Sequence, residues 1–121
     1  MAVVQTWPEL LDLYARGERD FAESELDNEP YGDLQGLVLD DADLSRSFIV
    51  ASFRGASLRQ ARFVDSNVKT CDFRDADLSG ADFSGAALCS TQFTGAIMTG
   101  TVFTGASIHS HVLGEGETPN L

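Results

Sequence analysis

Large apolar residues recur at every fifth position through the middle and end of the chain, and this spacing limits the possible folds. Neither an α-helix, with 3.6 residues per turn, nor a β-strand, with a period of two, places every fifth side chain on one face over such a length. A solenoid does so, if each five-residue unit forms one short side and then turns a corner. The thirteen residues in continuous register are Phe53, Leu58, Phe63, Val68, Phe73, Leu78, Phe83, Leu88, Phe93, Met98, Phe103, Ile108 and Leu113.

A second column of mostly small residues lies two positions before these centres, as at Ala76 and Ala81. We expect both columns to point into a narrow interior, while the other three positions of each unit face water. Glycine is frequent two positions after a centre, as at Gly80 and Gly85, where a corner requires unusual backbone angles.

The register slips once in the upstream part of the repeat. Leu34, Leu39 and Leu44 keep the five-residue step, and Phe48 follows after only four residues. The spacing therefore predicts Phe48 as a core residue and the repeat as residues 34–114.

Segments such as ADLSG at 76–80, ADFSG at 81–85 and RGASL at 54–58 resemble the pentapeptide repeat family, whose pattern is A(D/N)LXX. The resemblance covers about residues 32 to 114. It implies an all-β solenoid, a right-handed quadrilateral β-helix with four pentapeptides per coil and about four coils here. Counting by twenty then stacks phenylalanine on phenylalanine along two opposite faces.

An open solenoid needs protection at both ends. At the amino end, residues 1–17 are predicted to form a capping α-helix: Thr6 and Glu9 match a capping box, Pro8 suits the first turn, and Gly17 ends the pattern. Residues 18–33 are predicted as an irregular acidic segment that leads into the first coil.

At the carboxyl end, residues 115–121 are polar and are predicted as a flexible tail. Ile97, Val102 and Val112 are apolar at outward positions, where earlier units carry aspartate. We interpret them as a self-association edge for a homodimer, since a related surface serves dimerisation in some members of the family; scattered surface residues are the alternative.

The chain carries nineteen acids and eight bases, a formal charge of −11. This charge argues against direct binding of nucleic acid, and no apolar run approaches the ~20 residues of a membrane span, so we expect a cytoplasmic protein. The excess charge lies at the amino end, as a solubilising surface or as a docking site for a basic protein partner. The candidate binding residues are Glu18, Asp20, Glu23, Glu25, Asp27, Glu29, Asp33, Asp40, Asp41 and Asp43.

The sequence offers little catalytic chemistry. His109 and His111 form an HxH motif, but the register turns one outward and the other inward, so we predict no metal site. Cys71 and Cys89 are expected on opposite sides of the wall. No serine or threonine has a base in register, so we expect no catalytic residue, no cofactor and no enzyme activity.

Several functions remain open on the sequence alone. The first is a rigid, non-catalytic protein-binding module. The second comes from the resemblance, because some pentapeptide repeat proteins bind DNA gyrase as DNA mimics and so give resistance to fluoroquinolones or toxins. A small inhibitor or immunity protein against a basic toxin is a third, and a structural module without a fixed partner is a fourth.

Overall fold

Short parallel pairings between residues about twenty positions apart build the protein. The structure is a computed structural model, and it describes residues 2–27 and 31–119. The elements are α1 (Trp7–Ala15), β1 (Glu25–Leu26), β2 (Gly32–Asp33), β3 (Phe48–Ile49), β4 (Ala51–Ser52), β5 (Ser107–Ile108) and β6 (His111–Val112). Strand β1 pairs in parallel with β3, β2 pairs in parallel with β4, and single bridges continue the same pairing through the chain.

The bridges align into four columns, one on each side of the solenoid, which we number in chain order. Each column contains the residue that immediately precedes an apolar centre. Face 1 contains Asp20, Asp43, Arg62, Asp82 and Val102; face 2 contains Glu25, Phe48, Asn67, Ala87 and Ser107; face 3 contains Asp33, Ser52, Asp72 and Gln92; face 4 contains Val38, Ser57, Asp77 and Ile97.

Each five-residue unit consists of a short extended stretch and a β-turn. After Phe73, for example, the chain turns so that the Ala76 N–H donates to the Phe73 carbonyl at 3.1 Å. The third residue of that turn, Asp75, has φ of +61°, as in a type II turn. Glycine often occupies this corner position because it adopts positive φ without a steric penalty.

Two ladders of phenylalanine rings fill the core along opposite faces. On face 3, the rings of Phe53 and Phe73 stack nearly parallel with their centroids 5.0 Å apart, and on face 1 those of Phe63 and Phe83 stack at 4.8 Å. Rings of the two ladders meet edge to face, as Phe63 and Phe73 do at 5.6 Å. The small column is buried beside them, including Ala76 and Ala81. The interior therefore has room for little more than one ring from each of these faces.

The prediction that Phe48 is a core residue is wrong. Phe48 is 51% exposed, and its neighbour Ile49 is buried in its place. The step of four residues therefore lies between Ile49 and Phe53, not between Leu44 and Phe48. Ile49 pairs with Leu26 in the layer above. This face stacks aliphatic side chains beside the phenylalanine ladders, so the smaller isoleucine fits inward and the larger ring lies outside.

The solenoid pairing begins at Asp20, earlier than the residue 34 expected from the spacing. Asp20 bridges Asp43, and Glu25 pairs with Phe48, so two faces gain a layer above Leu34. Phe21 and Leu26 are the buried centres of that layer. The predicted irregular segment thus includes regular repeat units, whose step the sequence obscures between Leu26 and Leu34.

Helix α1 lies at the amino-terminal end of the solenoid. Thr6 Oγ1 accepts the Glu9 N–H at 3.2 Å, and Arg16 is the C-cap residue, one position before Gly17. The Trp7 ring packs edge to face against Phe53, with centroids 5.7 Å apart. Within the described residues, no helix has the length and apolar character that crossing a membrane would require.

The last coil ends in a hairpin, so the five-residue step does not continue to Leu113 as a further side. Strand β6 runs antiparallel to β5, and Leu113 folds back to exchange hydrogen bonds with the corner at Gly105 and Ala106. His111, predicted to point inward, is exposed as a result, while Leu113 is buried. Met98 and Ile108 are only half-buried.

Candidate protein-binding surface

The acidic residues surround the first layers of the solenoid on all four sides and do not form one patch. Most of the candidates belong to a face or to the corner beside it, but Glu29 lies outside the described residues. Asp20 and Asp43 lie together on face 1, Glu25 on face 2, and Asp33 on face 3. Glu18 precedes face 1, Glu23 and Asp27 lie just after the centres of faces 1 and 2, and Asp40 and Asp41 follow the centre of face 4.

Three of these carboxylates stabilise the backbone. Asp20, Asp33 and Asp43 each accept the N–H of the residue two positions on, at 3.2, 3.4 and 3.0 Å. Asn67 and Asp77 do the same lower in the solenoid, at 3.1 and 3.0 Å. This backbone N–H lies at the start of the corner, where the ladder offers it no carbonyl, so the side chain satisfies it. The pattern A(D/N)LXX has Asp or Asn at this position, so the sequence could have indicated this hydrogen-bonding role.

Two further candidates are also engaged. Asp40 Oδ1 accepts the Ser57 hydroxyl at 2.6 Å and the Arg59 N–H at 2.9 Å. Glu18 accepts the backbone N–H groups of Asp20 and Arg19, which hold the pKa of that carboxyl below its ordinary value. These acids were predicted as part of a solubilising or docking surface, and the structure also gives them local structural roles.

The most accessible candidates are Glu23, Glu25, Asp27, Asp33 and Asp41, all of which are exposed. Glu23 pairs with Arg46 at 3.3 Å in an exposed salt bridge, which contributes little to stability. The Arg19 guanidinium lies 3.6 Å from the Tyr14 ring centroid and donates to the carbonyls of Tyr14 and Glu18, so it is directed toward α1.

The histidines and cysteines do not converge. His111 Nε2 lies 2.8 Å from Glu117 Oε2, and the backbone N–H of His109 donates to Cys89 Sγ. Burial raises the pKa of the Cys71 thiol to about 12, so this cysteine is an unreactive core residue. Among the described residues, no group of three His, Cys, Asp or Glu side chains is arranged to hold a metal ion.

The apolar residues of the last coil are exposed, but they lie on different faces. Ile97 on face 4 is 52% exposed, Val102 on face 1 is 41% exposed, and Val112 in β6 is 62% exposed. The hairpin covers the edge of face 2 and the corner at Gly105 that precedes it. On the other faces, none of residues 2–27 and 31–119 accepts the backbone N–H of Phe93, Met98 or Phe103.

Sequence reasoning missed a groove of about 370 Å³ between the first half of α1 and the upper edge of face 3. Its lining includes Trp7, Pro8, Leu11, Leu34 and Asp33. Gly32 makes room for the indole, because a Cβ atom there would overlap the Trp7 ring. The sequence carried no signal for this contact, because Trp7 and Gly32 are distant in the chain and meet only in the folded structure.

These features define a parallel β-solenoid with four sides of about five residues each. Residues 51–88 and 71–109 match the family model described as pentapeptide repeats, with eight copies. The chain belongs to the pentapeptide repeat family, as its repeat pattern predicted. This family implies a right-handed quadrilateral β-helix, and its members are generally structural or interaction proteins.

Solved structures of pentapeptide repeat proteins resemble this chain. One from Nostoc PCC 7120 is 29% identical, with 88% of this chain and 82% of that chain covered and a TM-score of 0.48. One from the Arabidopsis thaliana thylakoid lumen is 32% identical, with 65% and 66% covered and a TM-score of 0.43. One from the cyanobacterium Cyanothece 51142 is 22% identical, with 68% and 58% covered and a TM-score of 0.50, which shows the shared fold. No curated protein sequence matches the chain.

Proposed function

We propose that this protein is a rigid, non-catalytic interaction module that docks a basic protein surface through the acidic first layers of its solenoid. The proposal rests on the uneven distribution of charge along the solenoid axis. The exposed acids Glu23, Glu25 and Asp41 surround the amino-terminal layers, whereas residues 83–114 contain no acidic or basic residue apart from histidine.

The core supports this function because it holds the acids on a stiff frame. The candidate acids on faces 1 to 3 each adjoin a buried centre, such as Phe21, Leu26 or Leu34. Docking to a preorganised surface loses little conformational freedom, and complementary charge speeds the encounter and makes it sensitive to salt.

The distribution of acids along the four columns gives less support to a DNA mimic that binds gyrase. Such a mimic needs acids repeated along the rod, but Arg62 and Val102 interrupt face 1, and Ser52 interrupts face 3. Asp72, the next acid on face 3, is bound by the Arg74 guanidinium at 2.8 Å. Gyrase binding and toxin neutralisation are therefore outcomes of the test below.

The test is a pull-down from a lysate of the native host, washed at low and at high salt. The variant carries Glu23→Gln, Glu25→Gln and Asp41→Asn, which leave the backbone-bound carboxylates of Asp20 and Asp43 intact. The matched control removes the same charge elsewhere, with Asp65→Asn, Asp75→Asn and Glu115→Gln, all of them at exposed positions.

We expect one basic partner that the control retains and that both the variant and high salt release. Identification of that partner as gyrase, a toxin or another protein then separates the alternatives. Equal capture by the variant and the control would contradict docking through the acidic layers.

Two structural roles complete the proposal. Helix α1 caps the amino-terminal end: Trp7 packs on Phe53, and the Tyr14 hydroxyl donates to the Asp40 carbonyl at 2.9 Å. The exposed apolar residues Ile97 and Val102, together with the unpaired edge of the last coil, form a homodimer contact.

A further inference from the structure

We infer that the upper edge of face 3, beside the groove under α1, binds an extended basic peptide segment of a partner as an additional β-strand. The inference rests on the proposed function for the basic character of the partner. It places this contact at one edge of the solenoid, where Asp33 is the candidate acid that contributes. The partner segment alternates basic side chains with apolar ones, and one apolar side chain occupies the groove.

The backbone of face 3 supplies the strand template. Between lower coils, the carbonyls of Asp72 and Arg74 accept the N–H groups of Phe53 and Gly55 at 2.7 and 2.9 Å, and the Asp72 N–H donates upward to Ala51 at 3.1 Å. The equivalent groups of the first layer are the Asp33 and Gln35 carbonyls and the Asp33 N–H.

None of these three groups has a hydrogen-bond partner among residues 2–27 and 31–119. The other faces differ at this end. Residues 2–4 pair above faces 1 and 2, through Ala2 to Asp20 and Glu25 to Val4, and Tyr14 binds the Asp40 carbonyl after face 4. An unpaired strand edge of this kind is what an added peptide strand uses.

The groove supplies an apolar site. Trp7 forms part of its lining and is only 6% exposed, with its Nε1 buried against Gly32. Leu11 and Leu34 also line the groove, whose volume suits one apolar side chain and the adjoining backbone.

The charge around the edge selects a basic segment. Asp33 lies on the edge itself with its side chain exposed, and Glu9 Oε1 accepts the N–H of Gln5, which lines the groove. A strand laid along this edge places alternate side chains outward beside these carboxylates, because side chains alternate along a strand. Lysine or arginine at those positions complements them.

The experiment uses Trp7, the single tryptophan of the chain, as a fluorescent reporter. The full-length protein is titrated with capped pentapeptides that alternate lysine with valine, leucine or phenylalanine. Three peptide controls replace lysine by glutamate, N-methylate the backbone amides, or scramble the alternation.

Three protein variants test the location of the site. Leu11→Arg blocks the groove and repels a cation, and Val102→Arg makes the same charge change at the far end of the solenoid. Asp33→Asn removes one edge charge and keeps an oxygen that accepts the Gln35 N–H, as Asn67 does for Lys69. Circular dichroism and thermal unfolding verify that each variant is folded.

We expect a saturable fluorescence change with at least one lysine peptide. Affinity falls at least tenfold with Leu11→Arg and with N-methylation, two- to fivefold with Asp33→Asn, and not measurably with Val102→Arg. Equal binding of the N-methylated peptide shows a simple apolar pocket and overturns strand addition. Absence of saturable binding by every lysine peptide also overturns it, while the pull-down independently decides the proposed function.

Discussion

At the scale of the residue, the position before a centre is the most informative where aspartate occupies it. Its carboxylate closes a local turn by accepting the N–H two positions on, as at Asp77 and Asp82 at 3.0 and 2.8 Å. Asp72 does this and also binds the Arg74 side chain in a bidentate pair. The same residue type therefore contributes both to the negative charge of the surface and to the stability of the corner.

The Asp72 pair makes stability depend on pH. Hydrogen bonds from Arg74 hold the pKa of Asp72 below its ordinary value of 3.8, against the opposing effect of burial. A lowered folded-state pKa contributes stability that is complete above the unfolded value and is lost as the pH falls through the folded value. We expect Asp72→Asn to lower the free energy of unfolding at pH 7 by about 1 kcal/mol. The difference shrinks below pH 3.8.

Urea unfolding of the two proteins at several pH values measures this difference. Asp65→Asn at an exposed corner is the control, with an expected change within about 0.5 kcal/mol. A difference between wild type and Asp72→Asn that stays constant down to pH 2 would contradict the role of the charged pair.

At the scale of the element, α1 combines a local signal with a tertiary contact. Thr6, Pro8 and Glu9 made the helix predictable because capping depends on neighbours in sequence. The groove beneath it was not predictable, since it depends on where the Trp7 ring meets Gly32 across the first coil. The choice between Phe48 and Ile49 failed for the same reason: both are apolar, and only the neighbouring layers decide which one fits inside.

If α1 caps the solenoid, the Trp7 ring contributes far more to the stability of the protein than the Thr6 N-cap does. We expect Trp7→Ala to lower the free energy of unfolding by about 3–5 kcal/mol, because it removes a large buried side chain from Phe53. Thr6→Ala, which removes only the N-cap oxygen, should cost about 1 kcal/mol. Denaturant unfolding followed by circular dichroism measures both. Similar small losses in the two variants would show that α1 is a peripheral helix.

At the scale of the whole molecule, the two ends differ in chemistry. The amino-terminal end is acidic and contacts α1 through Trp7, whereas the last coil is uncharged and leaves the N–H groups of Phe93, Met98 and Phe103 without partners in the described residues. The period of five and the twenty-residue stacking were predictable because they repeat. The hairpin at β5 and β6 was not, since His111 and Leu113 continue the five-residue spacing while the chain reverses.

The uncharged end predicts a dimer in solution. We expect Val102→Arg together with Ile97→Arg to shift a dimer to a monomer in sedimentation equilibrium, because it places charge where an apolar contact forms. Lys69→Arg, a charge-conserving change at an exposed position, is the control. A wild-type protein that stays monomeric at high micromolar concentration would contradict the contact.

The one-ring width of the core has a consequence for how such a gene can change in length. Ser52 pairs with Asp72, and Asp72 with Gln92, so each regular coil uses twenty residues. Loss or duplication of sixty bases in phase with this step changes the height by one layer of about 4.8 Å and leaves Phe53 stacked on a phenylalanine. Loss of fifteen bases moves every later side by a quarter turn and places phenylalanine over leucine. The coding sequence is thus free to lengthen or shorten by whole coils, while changes of a single repeat disturb every ladder beyond them.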